Sequence, residues 1–222
     1  MKILAIETAT EACSAALDID DNCIHRFKVS PRRHTELILP MIDDLLREAD
    51  LQPSDLDAIA FGQGPGAFTG IRIAIGVIQG LAFAHNIPVI PVSTLAALAQ
   101  QFAKQHTYVA AAIDARMQEI YWGLYKKNDL GLMEHITEEK VCSPTDITSP
   151  TEGNWFGVGS GWNTYSGELQ SRFNGNLSGF KGDVFPSAED IIELAKPVYL
   201  DGKTLSAEKA MPVYLRNNVV QT

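Results

Sequence analysis

The stretch Gly62-Gln63-Gly64-Pro65-Gly66-Ala67-Phe68-Thr69-Gly70 decides how this chain is read, because it stands between a strand and a helix. Before it, residues 57–62 form a short apolar run that reads as a strand. After it, residues 71–85 follow at once as a helix. Glycines permit positive φ and close approach of backbone to backbone. The helix start that follows favours an anion. Two readings therefore fit the loop: a cradle for phosphate, or a tight packing of backbone against another element. It is not a P-loop, since no Gly-Lys-Ser/Thr follows, and its spacing is not the dinucleotide fingerprint. The structural reading assigns Gly64, Pro65, Gly66, Gly70 and Arg72 to holding the loop in shape.

Working back towards the N-terminus, residues 2–8, 13–19 and 23–29 read as three strands. Asp20-Asp21-Asn22 supplies hairpin-turn chemistry between the second and third. The turn Glu7-Thr8-Ala9-Thr10 after the first strand is a place where a phosphate-binding fold would gather hydroxyls and backbone N–H groups. Its residues equally fit an ordinary small polar turn. A helix over residues 35–49, with Thr35 as the expected cap, shows apolar Leu37, Met41, Leu45 and Ala49 every four residues, with Ile38, Ile42 and Leu46 beside them. Pro40 falls early in it.

Working forward, the helix over 71–85 is apolar nearly all round, and Gly76, Gly80 and Ala84 line one face at a spacing of four. Small residues let another helix approach closely. The helix is either covered by a second subunit or sandwiched inside one monomer. The interface expectation names Leu37, Met41, Leu45, Ile75, Gly76, Gly80 and Ala84. A strand over 87–92 and a helix from Ser93 or Thr94 to about Lys104 close the first half.

The second half opens the same way, with strands over 108–114 and 119–125 and a third over 131–136. A strand over 155–158, a helix over 164–173, a loop over 174–183 and a helix from Ser187 through Ala195 follow. The expected division is an N-terminal subdomain over 1–104 and a C-terminal one over 105–222. Gly159 and Gly161 lie after a strand, where a purine would be held in a nucleotide-binding fold, and a plain glycine-rich connection fits as well. Asp114-Ala115-Arg116-Met117 sits at the second phosphate turn but has no glycine, although Arg116 could pair with an anion.

Composition narrows the function classes. The chain has 222 residues, 45% hydrophobic and 20% charged, with formal net charge −9. A chain this acidic binds nucleic acid poorly unless its cations are concentrated in one patch. Its three cysteines, Cys13, Cys23 and Cys142, show no zinc or disulfide spacing. No two of its five histidines lie three to five residues apart, so no helical pair grips a metal. The apolar stretch over 71–84 carries Arg72 and Gln79 and is read as too short to span a bilayer. The expectation is a cytoplasmic protein.

Four segments carry a resemblance: Ile6-Glu7-Thr8-Ala9-Thr10, Gly64-Pro65-Gly66-Ala67-Phe68-Thr69-Gly70-Ile71-Arg72, Asp114-Ala115-Arg116-Met117 and Pro212-Val213-Tyr214-Leu215-Arg216. In order and spacing they resemble the bacterial TsaB (YeaZ) family, over essentially the whole chain. The resemblance implies an α/β fold of the actin-like ATPase class (sugar kinase and ribonuclease H-like), in two subdomains that each open with a β-meander. It implies a non-catalytic subunit in threonylcarbamoylation of the adenosine next to the anticodon, in transfer RNAs that read codons starting with A. The implied partners are the metal-dependent transferase TsaD in a heterodimer, TsaE in a ternary complex, and a second copy when alone, with tRNA met only through the complex; TsaC makes the donor. The dimerising surface would be the helices over 35–49 and 70–85.

The catalytic relative holds its metal with two histidines four apart on a helix. Here His34 is followed by Thr35-Glu36-Leu37-Ile38, so the second ligand is missing. No catalytic or metal residue is expected, and glycoprotease labels for the wider family would need that same metal pair. No cofactor is expected to be required. A vestigial nucleotide site at Glu7, Thr8, Thr10, Gly159 and Gly161 would bind ATP or ADP weakly at most. The competing reading is an actin-like ATPase or kinase acting on its own through those residues.

Overall fold

The computed structural model describes residues 1–148, 150 and 152–216. The first sheet is built from β1 (Lys2–Glu7), β2 (Ala12–Ile19), β3 (Asn22–Val29), β4 (Ala58–Gly62) and β5 (Val89–Val92). Its order is β3-β2-β1-β4-β5. β1 and β2 are antiparallel, as are β2 and β3, while β4 lies parallel to β1 and β5 parallel to β4. The Asp20-Asp21 turn works as its composition suggests, both residues taking positive φ of 48° and 69°.

The second sheet repeats the plan with β6 (Tyr108–Asp114), β7 (Ile120–Lys127), β8 (Met133–His135), β9 (Lys140–Cys142), β10 (Trp155–Val158) and β11 (Leu177–Lys181). Its order is β11-β10-β6-β7-β8, with β9 also pairing with β7. The first pair is antiparallel, as is β7 with β8, and β10 and β11 run parallel to β6 and to each other. Each sheet therefore has its first strand in the middle, a meander on one side and two parallel strands on the other. This duplicated topology is the actin-like arrangement that the resemblance implies.

Six α-helices complete the described chain: α1 (His34–Glu48), α2 (Phe68–His85), α3 (Thr94–Gln100), α4 (Ser160–Thr164), α5 (Ser166–Ser171) and α6 (Ala188–Leu200). α1 starts one residue before the expected cap. Arg33 occupies the cap position without a side-chain hydrogen bond, and Thr35 lies inside the helix. Ser187 does cap α6, accepting from the Glu189 N–H. The stretch expected to be loop over 174–183 contains β11, whose Gly179 and polar neighbours mask a parallel edge strand.

Burial on sheet one follows strand alternation. Leu4, Ile6, Cys13, Leu17, Ile59 and Phe61 face α1 and α2, while Ile3, Ala5, Ala16, Ala58 and Ala60 face α6. The alanines on the second face let α6 approach closely, and Ala188, Ile191, Ile192 and Ala195 are buried there. Lys196 ties α6 to β2 through Asp18, 2.8 Å away and almost fully buried.

The chain forms two compact units. One comprises Met1–Ala97 and Pro186–Val213. The other comprises Leu98–Phe185 and the stretch that begins at Tyr214. The expected cut near residue 105 therefore moves into α3. The expected C-terminal subdomain over 105–222 does not stay whole, because the apolar face of α6 completes the first sheet rather than the second. In the second unit, Trp122, Trp155, Trp162 and Phe173 cluster around β6, and the Trp162 N–H donates to Ala110 O at 2.8 Å.

Candidate functional site

The glycine loop and the β1 turn are locked together. Gly70 and Gly66 come so close to the backbone of Thr8 and Ala9 that a Cβ on either would collide with a carbonyl oxygen. The Thr8 hydroxyl donates to Gly70 O at 2.8 Å, and the Ala67 N–H donates to Ala9 O at 2.7 Å. Gly64 has φ +101°, and a Cβ there would lie 2.9 Å from Val213 O. Val213 N–H donates to Gln63 O, and Thr94 N–H to Gly64 O, each at 2.9 Å. The space a phosphate would need inside the loop is filled by the chain's own backbone, which favours the packing reading. Arg72 stacks on the Phe68 ring, 3.6 Å from its centroid.

Glu7 sits under this lock, fully buried. One carboxylate oxygen accepts the Ala9 N–H, and the other accepts the Thr94 hydroxyl at 3.0 Å. Burial pushes its pKa up to about 7, with the hydrogen bonds from Ala9, Thr94 and Thr8 opposing the rise. Thr10 is buried and its hydroxyl accepts the Ala12 N–H at 3.4 Å. Glu7, Thr8 and Thr10 are thus brought together, but with their polar atoms spent on the fold. Thr94 is a member of this set that motif reading passes over, since nothing local marks a hydroxyl 87 residues downstream.

Gly159 and Gly161 belong to the second unit. Gly159 has φ +101°, and a Cβ on it would lie 2.5 Å from Ala112 O; one on Gly161 would lie 2.8 Å from the Ala112 Cβ. They serve close packing of α4 on β6. The Asp114 turn is held from within as well. Arg116, Met117 and Gln118 all take left-handed φ, of 62°, 55° and 60°. That conformation costs roughly 1–2 kcal/mol per non-glycine residue. The Asp114 carboxylate accepts the Arg116 N–H at 2.8 Å and pairs with its guanidinium at 3.1 Å, while Arg216 pairs with Glu119.

The interface expectation divides in two. α1 buries Ile38, Ile42, Leu45 and Leu46, and α2 buries Ile71, Ala74, Ile75, Ile78 and Ala82. Leu45 and Ile75 therefore face the monomer's own core, and their assignment to an interface is corrected. Leu45 is one turn beyond Ile42 on the sheet-facing stripe, and Ile75 lies between buried Ile71 and Ile78, one turn from each. Leu37 and Met41 are half-buried, whereas Gly76, Gly80 and Ala84 are exposed. A Cβ on Gly76 or Gly80 would meet nothing within 4 Å. Beside them lie half-buried Ile73 and Val77 and exposed Phe83, which a helical wheel through Gly76 and Gly80 identifies.

α2 is an 18-residue helix of mean hydropathy 1.3, long and apolar enough to cross a membrane by length and composition, with 33% of its residues buried. The helix runs past both ends of the apolar stretch read over 71–84. Its buried stripe packs on the first sheet, and the apolar remainder is an open face. His34 is buried, with Nε2 3.1 Å from Ala12 O. Among the described residues no group of three or more His, Cys, Asp or Glu side chains is placed to hold a metal.

Comparison with known proteins places this architecture. The chain is 43% identical to TsaB of Escherichia coli K12, a tRNA threonylcarbamoyladenosine biosynthesis protein, over 99% of this chain and 96% of the relative. It is 41% identical to the protein of that name from Haemophilus influenzae, over 99% and 95%. The chain belongs to the TsaB family. The wider TsaD family, described as tRNA N6-adenosine threonylcarbamoyltransferase, matches residues 28–221. Among solved structures, YeaZ from Pseudomonas aeruginosa superposes with a TM-score of 0.89 at 45% identity, covering 96% of this chain and 99% of that one. A second Pseudomonas aeruginosa structure, described by similarity to the peptidase YeaZ, gives 0.89 and 45% over 97% and 99%.

Proposed function

We propose that this chain is a non-catalytic, cytoplasmic subunit for threonylcarbamoylation of the adenosine next to the anticodon in transfer RNAs that read codons starting with A. Its task is to hold the transferase TsaD through the open face of α2, with Leu37 and Met41 of α1 at its edge. One observation carries this reading: a long apolar helix keeps a small-residue strip at Gly76, Gly80 and Ala84 exposed after the monomer has folded. Burying such a strip against another helix removes apolar surface from water and allows close approach. The same face serves a second copy when TsaD is absent, and TsaE joins the assembled pair. Glu7, Thr8 and Thr10 are bonded internally, which supports a chain that needs no nucleotide of its own and leaves phosphate chemistry to its partners.

Gly80→Leu tests the interface. A Cβ at this position meets nothing within 4 Å in the monomer, so far-UV circular dichroism should match the parent. Co-elution with TsaD on size exclusion should be lost, and threonylcarbamoylation by the reconstituted set should fall at least 10-fold. A Gly80→Leu chain that still co-elutes and supports modification would sink the assignment. Calorimetric titration with ATP and Mg²⁺ addresses the cofactor: tight binding by the isolated chain would restore the ATPase reading.

A further inference from the structure

The chain is acidic overall, yet its cations are not evenly spread. From Asn22 to Thr35 there is no Asp or Glu, while Arg26, Lys28, Arg32 and Arg33 fall within eight residues, out of 18 Lys and Arg in the chain. This run is β3 and the turn into α1. β3 is an outer strand of its sheet, paired with β2. A polymer laid along such an edge reaches side chains from both faces of the strand, because they alternate. On one face are Arg26 and Lys28. On the other are exposed His25, Phe27 at 43% exposure and Val29 at 49%. Arg32, with φ 66°, is exposed in the turn.

Two of these cations have partners, Arg26 with Glu48 and Arg33 with Glu36 at 2.8 Å, both at the surface. Surface pairs of this kind hold weakly and exchange for a stronger anion. Among the described residues, Lys28 and Arg32 make no ion pair or side-chain hydrogen bond. An edge carrying free cations, with an exposed aromatic ring between Arg26 and Lys28 in sequence, matches the chemistry of a nucleic-acid strand: phosphates for the cations, a base face for the ring. An apolar partner would leave Lys28 and Arg32 desolvated without compensation.

We infer that the β3 edge and the turn into α1 contact the phosphate backbone of RNA, with Phe27 stacking on a base. The contact rests on the proposed role in tRNA modification and adds to it: the subunit itself supplies part of the complex's grip on the tRNA.

The test uses the reconstituted complex and an unmodified tRNA transcript that reads a codon starting with A. Lys28→Glu combined with Arg32→Glu should weaken tRNA binding at least 10-fold near 0.1 M salt. The slope of log K against log salt should shrink by roughly 0.7–0.9 for each phosphate that is no longer neutralised. Phe27→Ala should weaken binding with the slope unchanged. If the charge reversal disturbs folding, Lys28→Gln with Arg32→Gln removes the charges and should produce the same change in slope. Unchanged affinity and slope overturn the inference. Loss of a protein partner from the complex, with tRNA binding retained, also overturns it and makes the edge an acidic-protein contact. Modification is read in the same samples: an unaltered chain that supports none overturns the proposed function, while the binding data still decide the RNA contact.

Discussion

Glu7 carries the clearest pH signature at the scale of one residue. Its folded pKa is raised to about 7 by burial, against an ordinary 4.5. The native state therefore holds the proton more tightly than the unfolded chain. The stability from that proton is fully present below about pH 4.5 and is lost as pH rises through about 7. A shift of this size corresponds to about 3 kcal/mol between the two limits. Glu7→Gln should flatten the dependence, since its amide oxygen can accept the Ala9 N–H and its NH₂ can donate to Thr94. Urea unfolding at pH 5 and pH 8 is the measurement: the parent should lose stability between them, and the variant should not. A parent equally stable at both would mean that Glu7 is not held neutral.

At the scale of an element, α2 should respond with opposite signs along its length. Gly70 is pressed against the Thr8 carbonyl, so Gly70→Ala should destabilise the monomer by about 1–3 kcal/mol through overpacking. Gly76 faces open space, and Gly76→Ala should stabilise the monomer by about 0.5–1 kcal/mol by reducing backbone freedom in the unfolded chain. Urea midpoints at concentrations where the chain is monomeric would show the contrast, and a common sign for both would refute it. The strands of the two meanders are legible in the sequence as short apolar runs bounded by turn residues, α1 by its apolar stripe, and α2 by its long apolar run. So is the small-residue face of α2. Core and surface are not separable at Ile75, because a helix apolar nearly all round gives no amphipathic phase to read; at Leu45 the stripe of α1 is legible, but not whether the chain's own sheet or another subunit covers it. β11 escapes notice for a related reason: an edge strand containing Gly179 lacks the apolar run that announces a buried strand. The purpose of the glycine loop is invisible locally, since its partners, Thr8, Ala9, Thr94 and Val213, come from three other places in the chain.

At the scale of the whole molecule, the decisive fact is that residues 186–213 return to the first unit. Ile191 and Ile192 are buried against its sheet, which contributes roughly 1.5–3 kcal/mol each. A chain ending at Phe185 should therefore lose the cooperative unfolding of the first unit. All three tryptophans, Trp122, Trp155 and Trp162, lie in the second unit, so tryptophan emission reports on that unit alone. The truncated chain should keep buried-tryptophan emission while its far-UV signal loses a cooperative phase. Retention of the full transition would mean that α6 is dispensable to the first sheet.

That return of the chain also sets an order of events during synthesis. The ribosome makes strands β1 to β5 early, then residues 98–185, 88 of them, and only afterwards the helix that covers the alanine-lined side of the first sheet. At about 5–20 residues per second this interval lasts roughly 4–18 s. For that time a nascent sheet stands with one oily side bare, long enough for chaperone capture or misassociation between neighbouring nascent chains. Silent codon changes that slow translation between 98 and 185 should lower the soluble yield while leaving the purified protein unaltered.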